Sequence, residues 1–226
     1  MNSEQSQLNL AGLLPDLNSL GVYPDTAGQL STLFVAVLIG VTALFFIMSL
    51  VALFRVYIRV NWILKLLQNQ TSQSVVKHRQ GLRKKASLVR HNAGHLWKEF
   101  DETLVEAKVG ENIHLHNIYD ANHFFNSSTL GREITESRML AAVPGFLTAL
   151  GVIGTFIGLQ LGLSELNIGN DAYIQEMKSG LAHVISGAKI AFMTSVWGVS
   201  LSVLFNFIEK WLENLARSRI YLLQVC

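Results

Sequence analysis

Apolar positions in this chain are gathered into three long runs rather than spread in an amphipathic rhythm. No charged residue occurs from Leu33 to Phe54 or from Met139 to Leu163, and a third charge-free run, Ile190 to Ile208, is closed by Lys189 and Glu209. The first two exceed the roughly 20 residues that a helix needs to cross hydrocarbon. The pattern predicts an all-α integral membrane fold with three transmembrane helices, at 31–60, 138–163 and 184–208. Around them lie an external N-terminal segment, 1–30, a segment 61–137, a loop 164–183 and a terminal helix, 209–226.

The three runs differ in texture. The first is bulky on every face, which places it on the lipid side. The second, PGFLTALGVIGTFIGLQLGL, is rich in glycine. Gly154, Gly158 and Gly162 recur every fourth residue and form a groove that admits a neighbouring backbone. Thr148 and Thr155 stack on one face with Gly151 between them. The third carries Gly187, Ala191, Ser195, Gly198, Ser202 and Asn206 on one side, with Thr194 beside Ser195. Its other side is bulky: Ile190, Phe192, Val196, Val203 and Phe207. Two small, hydroxyl-bearing faces point to a common polar seam. Packing alone is the competing reading, because threonine in lipid often bonds back to its own helix.

The remaining segments are less regular. Leu8, Leu10, Leu13, Leu14, Leu17 and Leu20 fit either a short helix on the membrane surface or a loose tail, and Pro24-Asp25-Thr26 reads as a turn and N-cap. Val75 to Lys108 has helical propensity, with Leu82, Leu88, Val89, Leu96, Phe100 and Leu104 as its apolar stripe, and Gly110 to Ser128 holds the turns. Leu130 to Met139 reads as a helix running straight into the second span, so that Pro144 falls inside a continuous rod as a kink and candidate hinge. Two or three helices in 61–137 cannot bury a large core alone. They are expected to pack against inward extensions of the spans or against copies of themselves.

Charge sets the orientation. Half of the residues are hydrophobic and 15% are charged. Residues 1–54 contain no Lys or Arg, whereas residues 55–98 contain ten basic residues, from Arg55 to Lys98, and no acid. Basic residues mark cytoplasmic flanks, so the segment after the first span is expected inside, the N-terminus out and the C-terminus in. This topology makes a nucleic-acid role unnecessary to explain the basic segment. The lone Cys226 excludes an internal disulfide, and with no basic region ahead of it the first span is expected to stay as a signal anchor. His91 and His95, and His114 and His116, lack a third and fourth ligand nearby, so no metal site is expected. No nucleophile–base pair or phosphate loop points to an enzyme, and no cofactor is implied.

No span holds a carboxylate in its middle, while ion transport needs a titratable or coordinating group. An acid from a partner would have to complete any channel. The run AAVPGFLTALGVIGTFIGL, with Pro144 followed by Gly151, Gly154, Thr155 and Gly158, and the run AFMTSVWG, with Thr194, Ser195 and Gly198, resemble the MotA/TolQ/ExbB proton-channel family. Within it they are most similar to the ZorA-type subunits of Zorya anti-phage defence. The resemblance covers residues 130–210; the rest matches by architecture only.

It implies a homopentamer in the bacterial inner membrane around a dimeric, single-span partner of the ZorB, MotB or ExbD kind. The partner's Asp would carry ions, and protonation would drive rotation. Thr155, Thr194 and Ser195 carry over as ion-path positions by motif; Thr148 and Ser202 join them by helical spacing. A TolQ/ExbB-like energiser of envelope transport and a non-conducting membrane scaffold are the alternatives. ZorA-type proteins continue into a long helical tail, whereas this chain stops at Cys226 within a helical pattern of Trp211, Leu215, Ile220 and Leu223. A chain cut short before such a tail and a short homologue would both give that ending.

Overall fold

A computed structural model describes residues 26–68, 72–89, 92–109, 112–164 and 174–225. The chain is mostly helical. Three long helices, α1 (Thr26–Leu67), α7 (Arg138–Ser164) and α8 (Ile174–Val225), carry the apolar runs. Each is long and apolar enough to cross a membrane. Between α1 and α7 come α2 (Ser72–Leu88), α3 (Asn92–Glu102), strands β1 (Leu104–Val109) and β2 (Asn112–Asn117), and the short helices α4 (Ala121–Phe124), α5 (Ser127–Leu130) and α6 (Arg132–Thr135). The segment before Thr26, with its leucine pattern, the middle of the loop 164–183 and Cys226 lie outside the described residues. Contacts divide the chain into two compact units, one containing residues up to Phe46 with Ala141–Phe207, the other Ile47–Leu140 with Ile208 onward.

The first unit holds the glycine-rich helices. Here α1 leaves Leu33, Val37 and Leu44 exposed. One stripe differs: Thr32, Val35 and Leu38 are buried. A helix apolar all round can still turn one face inward, and the sequence pattern does not mark which. On α8, Phe192, Val196, Val203 and Phe207 are exposed as the bulky side, but Ile190 is buried with the small residues. The helix itself begins at Ile174, ten residues before 184, and runs on to Val225 without a break.

The second unit has a continuous apolar core. Val56, Val60 and Ile63 of α1 meet Leu82 and Ala86 of α2, Leu96 and Trp97 of α3, and Leu212, Ala216 and Ile220 of α8. The middle segment thus packs against extensions of the apolar helices, as its small size requires. Arg59 fastens α1 to α6: its guanidinium donates to Glu133 Oε1 at 2.6 Å and to the Leu130 carbonyl at 3.2 Å. Arg55 adds a second bond to Glu133 at 3.3 Å.

Three local expectations are corrected. The fold is not all-α, because β1 and β2 pair antiparallel, with Leu104 opposite Asn117 and Val109 opposite Asn112. Thr103 ends α3, its amide and hydroxyl both donating to the Phe100 carbonyl, and the chain then alternates with β-branched Val105, Val109 and Ile113. The helix expected over Val75–Lys108 is therefore α2, α3 and a strand, and Leu88, placed in its apolar stripe, is exposed at the end of α2. Leu130–Met139 does not run straight into α7 either. It breaks at Glu136 and Ser137, where the Ser137 hydroxyl accepts from the Leu140 amide and caps the new helix.

Arg79 organises the junction of α2, α3 and β1. It donates to Asp101 Oδ1 at 2.8 Å, Glu106 Oε1 at 3.0 Å and the Leu104 carbonyl at 3.1 Å. The bond to Asp101 raises the guanidinium above its ordinary value, against the opposing effect of burial.

Candidate functional site

The glycines of α7 and α8 form an antiparallel zipper. Gly151 faces Gly198, Gly154 faces Thr194, Gly158 faces Gly187 and Ala191, and Gly162 faces Gly187. A Cβ on Gly198 would stand 2.7 Å from the Gly151 Cα, and one on Gly187 would stand 2.6 Å from the Gly162 Cα. Backbone meets backbone at these points, so no larger side chain fits without separating the helices. The predicted groove of Gly154, Gly158 and Gly162 is present, and Gly151 belongs to it too. Gly187 is the residue whose role the sequence pattern understated, since it touches two glycines of the facing helix. The signal was available: Gly187, Ala191, Thr194 and Gly198 recur every three or four residues, as the glycines of the α7 groove do. Phe34 of α1 also reaches this groove, with its ring edge 3.0 Å from where a Cβ on Gly154 would lie.

The hydroxyls sort into two groups. Thr194 is buried, donates to the Ala191 carbonyl at 2.9 Å, and fills the space left by Gly154. Ser202 is also buried and crosses to α7, donating to the Pro144 carbonyl at 2.8 Å. Thr148 donates to the same Pro144 oxygen at 3.0 Å. Thr148 and Ser202, chosen from spacing on two different helices, thus converge on one acceptor. The sequence gives no hint of that hub, because it is a backbone atom. Pro144 lies within α7, as a hinge position requires, and its carbonyl is tied to α8. Thr155 and Ser195 stand apart from this group. Both are only half-buried, at the edge of the zipper, and Thr155 donates to the Val152 carbonyl at 2.6 Å.

The direction of these bonds has chemical content. A carbonyl only accepts, so the hydroxyls of Thr148, Thr155, Thr194 and Ser202 each spend their one proton on the backbone and keep oxygen lone pairs free. At these four positions the surface can accept a hydrogen bond and cannot readily donate one. No group of three or more His, Cys, Asp or Glu residues that could hold a metal occurs among the described residues.

Comparison with known proteins bears on this site. A family model described as "Anti-phage protein ZorA, Zorya type I system" matches residues 23–225. A Zorya protein ZorA from Escherichia coli O139:H28 (strain E24377A) is 26% identical over 150 residues, which cover 64% of this chain and 20% of that protein. Another Zorya protein ZorA, from the Crooks strain of Escherichia coli, is 30% identical over 84 residues, covering 37% of this chain and 14% of that protein. The matched stretch is thus at most about a fifth of the length of these curated relatives.

Proposed function

The chain belongs to the ZorA family of the Zorya type I anti-phage system, and on that premise we propose that it is the membrane part of an ion-driven rotary motor in that defence. In this reading it sits in the bacterial inner membrane with its N-terminus out and its C-terminus in. Copies of the chain, five by the resemblance to MotA/TolQ/ExbB proteins, surround a dimer of a single-span partner. The observation that carries the proposal is a hydroxyl-edged, tightly zipped pair of apolar helices with no acid of its own in the charge-free runs. It is a wall for an ion path and lacks the titrating group, which a partner's Asp would supply.

The bond directions favour one protonation state of that acid. A protonated carboxyl donates to a lone pair on Thr155. An ionised carboxylate needs donors, and the Thr155 hydroxyl is already committed to Val152. At Thr155 the wall therefore holds the neutral acid and releases the charged one, so each protonation changes how strongly partner and wall adhere. That alternation is what a stepping rotor requires. Thr194 and Ser202 keep the two helices of the wall together, and Pro144 holds the carbonyl on which Thr148 and Ser202 meet.

Reconstitution in liposomes with the single-span partner tests this. Proton flux is expected from the complex and not from either protein alone. Flux through this chain by itself would refute the incomplete-channel reading. A complex that assembles but never conducts would favour a scaffold.

A further inference from the structure

The second unit carries a cavity that the motor reading does not use. It is about 580 Å³, lies between α1 and α8, and is lined by Leu50, Val51, Leu53, Phe54, Tyr57, Leu215 and Arg219. Its lining is apolar save at one end, where the Arg219 guanidinium lies 5.4 Å from the centre of the Tyr57 ring. Arg219 has no carboxylate partner among the described residues, whereas nearby Arg55 and Arg59 are committed to Glu133. Leu50 to Phe54 belong to the charge-free run of α1 and Tyr57 lies just past its end, where basic residues begin, while Leu215 and Arg219 lie beyond the charge-free run of α8, which ends at Ile208. The groove thus runs from the hydrocarbon part of a span to its charged boundary.

We propose that this groove binds an anionic phospholipid, with an acyl chain along Leu50, Val51, Phe54 and Leu215 and the headgroup phosphate on Arg219. Every element of the groove matches one part of that molecule. The apolar floor takes a tail. Tyr57 stands at the height where aromatic rings favour the interface. Guanidinium pairs with phosphate through charge-assisted hydrogen bonds, and stacking on Tyr57 holds it ready for that contact. A second protein copy would suit the apolar floor but leaves a free cation at its end unexplained. The proposal rests on the membrane-spanning reading alone and is independent of the motor.

The full chain, purified with its bound lipids, can be equilibrated with mixed vesicles of palmitoyl-oleoyl phosphatidylglycerol and phosphatidylcholine in equal amounts and examined by native mass spectrometry. Retention of phosphatidylglycerol over phosphatidylcholine by about tenfold is expected, because both offer a phosphate to Arg219 but the choline cation of phosphatidylcholine opposes the guanidinium. Arg219→Gln should bring the ratio close to one while a tail is still retained. Leu215→Trp, which fills the apolar floor, should release both lipids. Equal retention of the two lipids by the unmodified chain would overturn the proposal without reference to any variant. An unchanged ratio in a folded Arg219→Gln protein would also overturn it. So would efficient cross-linking between copies carrying Phe54→Cys and Leu215→Cys in native membranes, since a second copy would then cover the groove.

Discussion

A hydroxyl that has given its proton to its own helix is a different reagent from a free one, and this governs the residues of the seam. Thr148, Thr155 and Thr194 all donate to carbonyls three or four residues back. Ser202 donates instead across to Pro144 of the other helix. Ser202→Ala should lower stability by about 0.6 kcal/mol, the usual worth of an interhelical hydrogen bond in lipid, seen as a small fall in the apparent melting temperature in detergent. Gly198→Leu should be far worse, because its side chain must enter the Gly151 backbone. Overpacking of this kind costs about 1–3 kcal/mol or more, and the variant should lose a resolved melting transition or its assembly on gel filtration. If Gly198→Leu behaved like the parent protein, the zipper would not be what joins α7 to α8.

At the scale of elements, the membrane-length helices were legible because lipid leaves few choices. A charge-free run of sufficient length can only be a helix satisfying its own backbone. The glycine groove was legible for a similar reason, since a four-residue spacing has one meaning on a helix. The soluble middle was not. Leu104–Val109 suits a helix or a strand by composition, and its pairing with Asn112–Asn117 is what decides. Nor could local pattern reveal that Arg79 ties α2 to Asp101 and the Leu104 carbonyl, or that Arg59 ties α1 to Glu133, because these partners lie far apart in the chain. Arg79→Met should therefore destabilise the second unit by about 1.5–3 kcal/mol, as the loss of a hydrogen-bonded, partly buried charge does. Thermal unfolding followed by far-ultraviolet circular dichroism measures it. A change inside experimental error would show that the clamp is ornamental. For Arg59→Gln a smaller loss of about 1 kcal/mol is expected, because Glu133 is more open to solvent.

On the scale of the whole molecule, membership of the ZorA family and three membrane-length helices fix the setting, and the hydroxyl wall gives the proposed mechanism its content. That mechanism assigns the acid to a partner and the proton-accepting surface to this chain. In that proposal Thr155, half-exposed and with its hydroxyl proton given to Val152, is where the two would meet. Valine there keeps the shape and the packing and removes only the oxygen. The decisive experiment measures proton flux into liposomes holding the complex with its single-span partner, comparing the parent chain with Thr155→Val and Thr155→Ser. The valine complex should assemble normally and lose flux by at least about tenfold, the equivalent of one hydrogen bond of about 1.4 kcal/mol, while the serine complex retains it. Undiminished flux through an intact Thr155→Val complex would mean that the protonated acid does not rest on this wall.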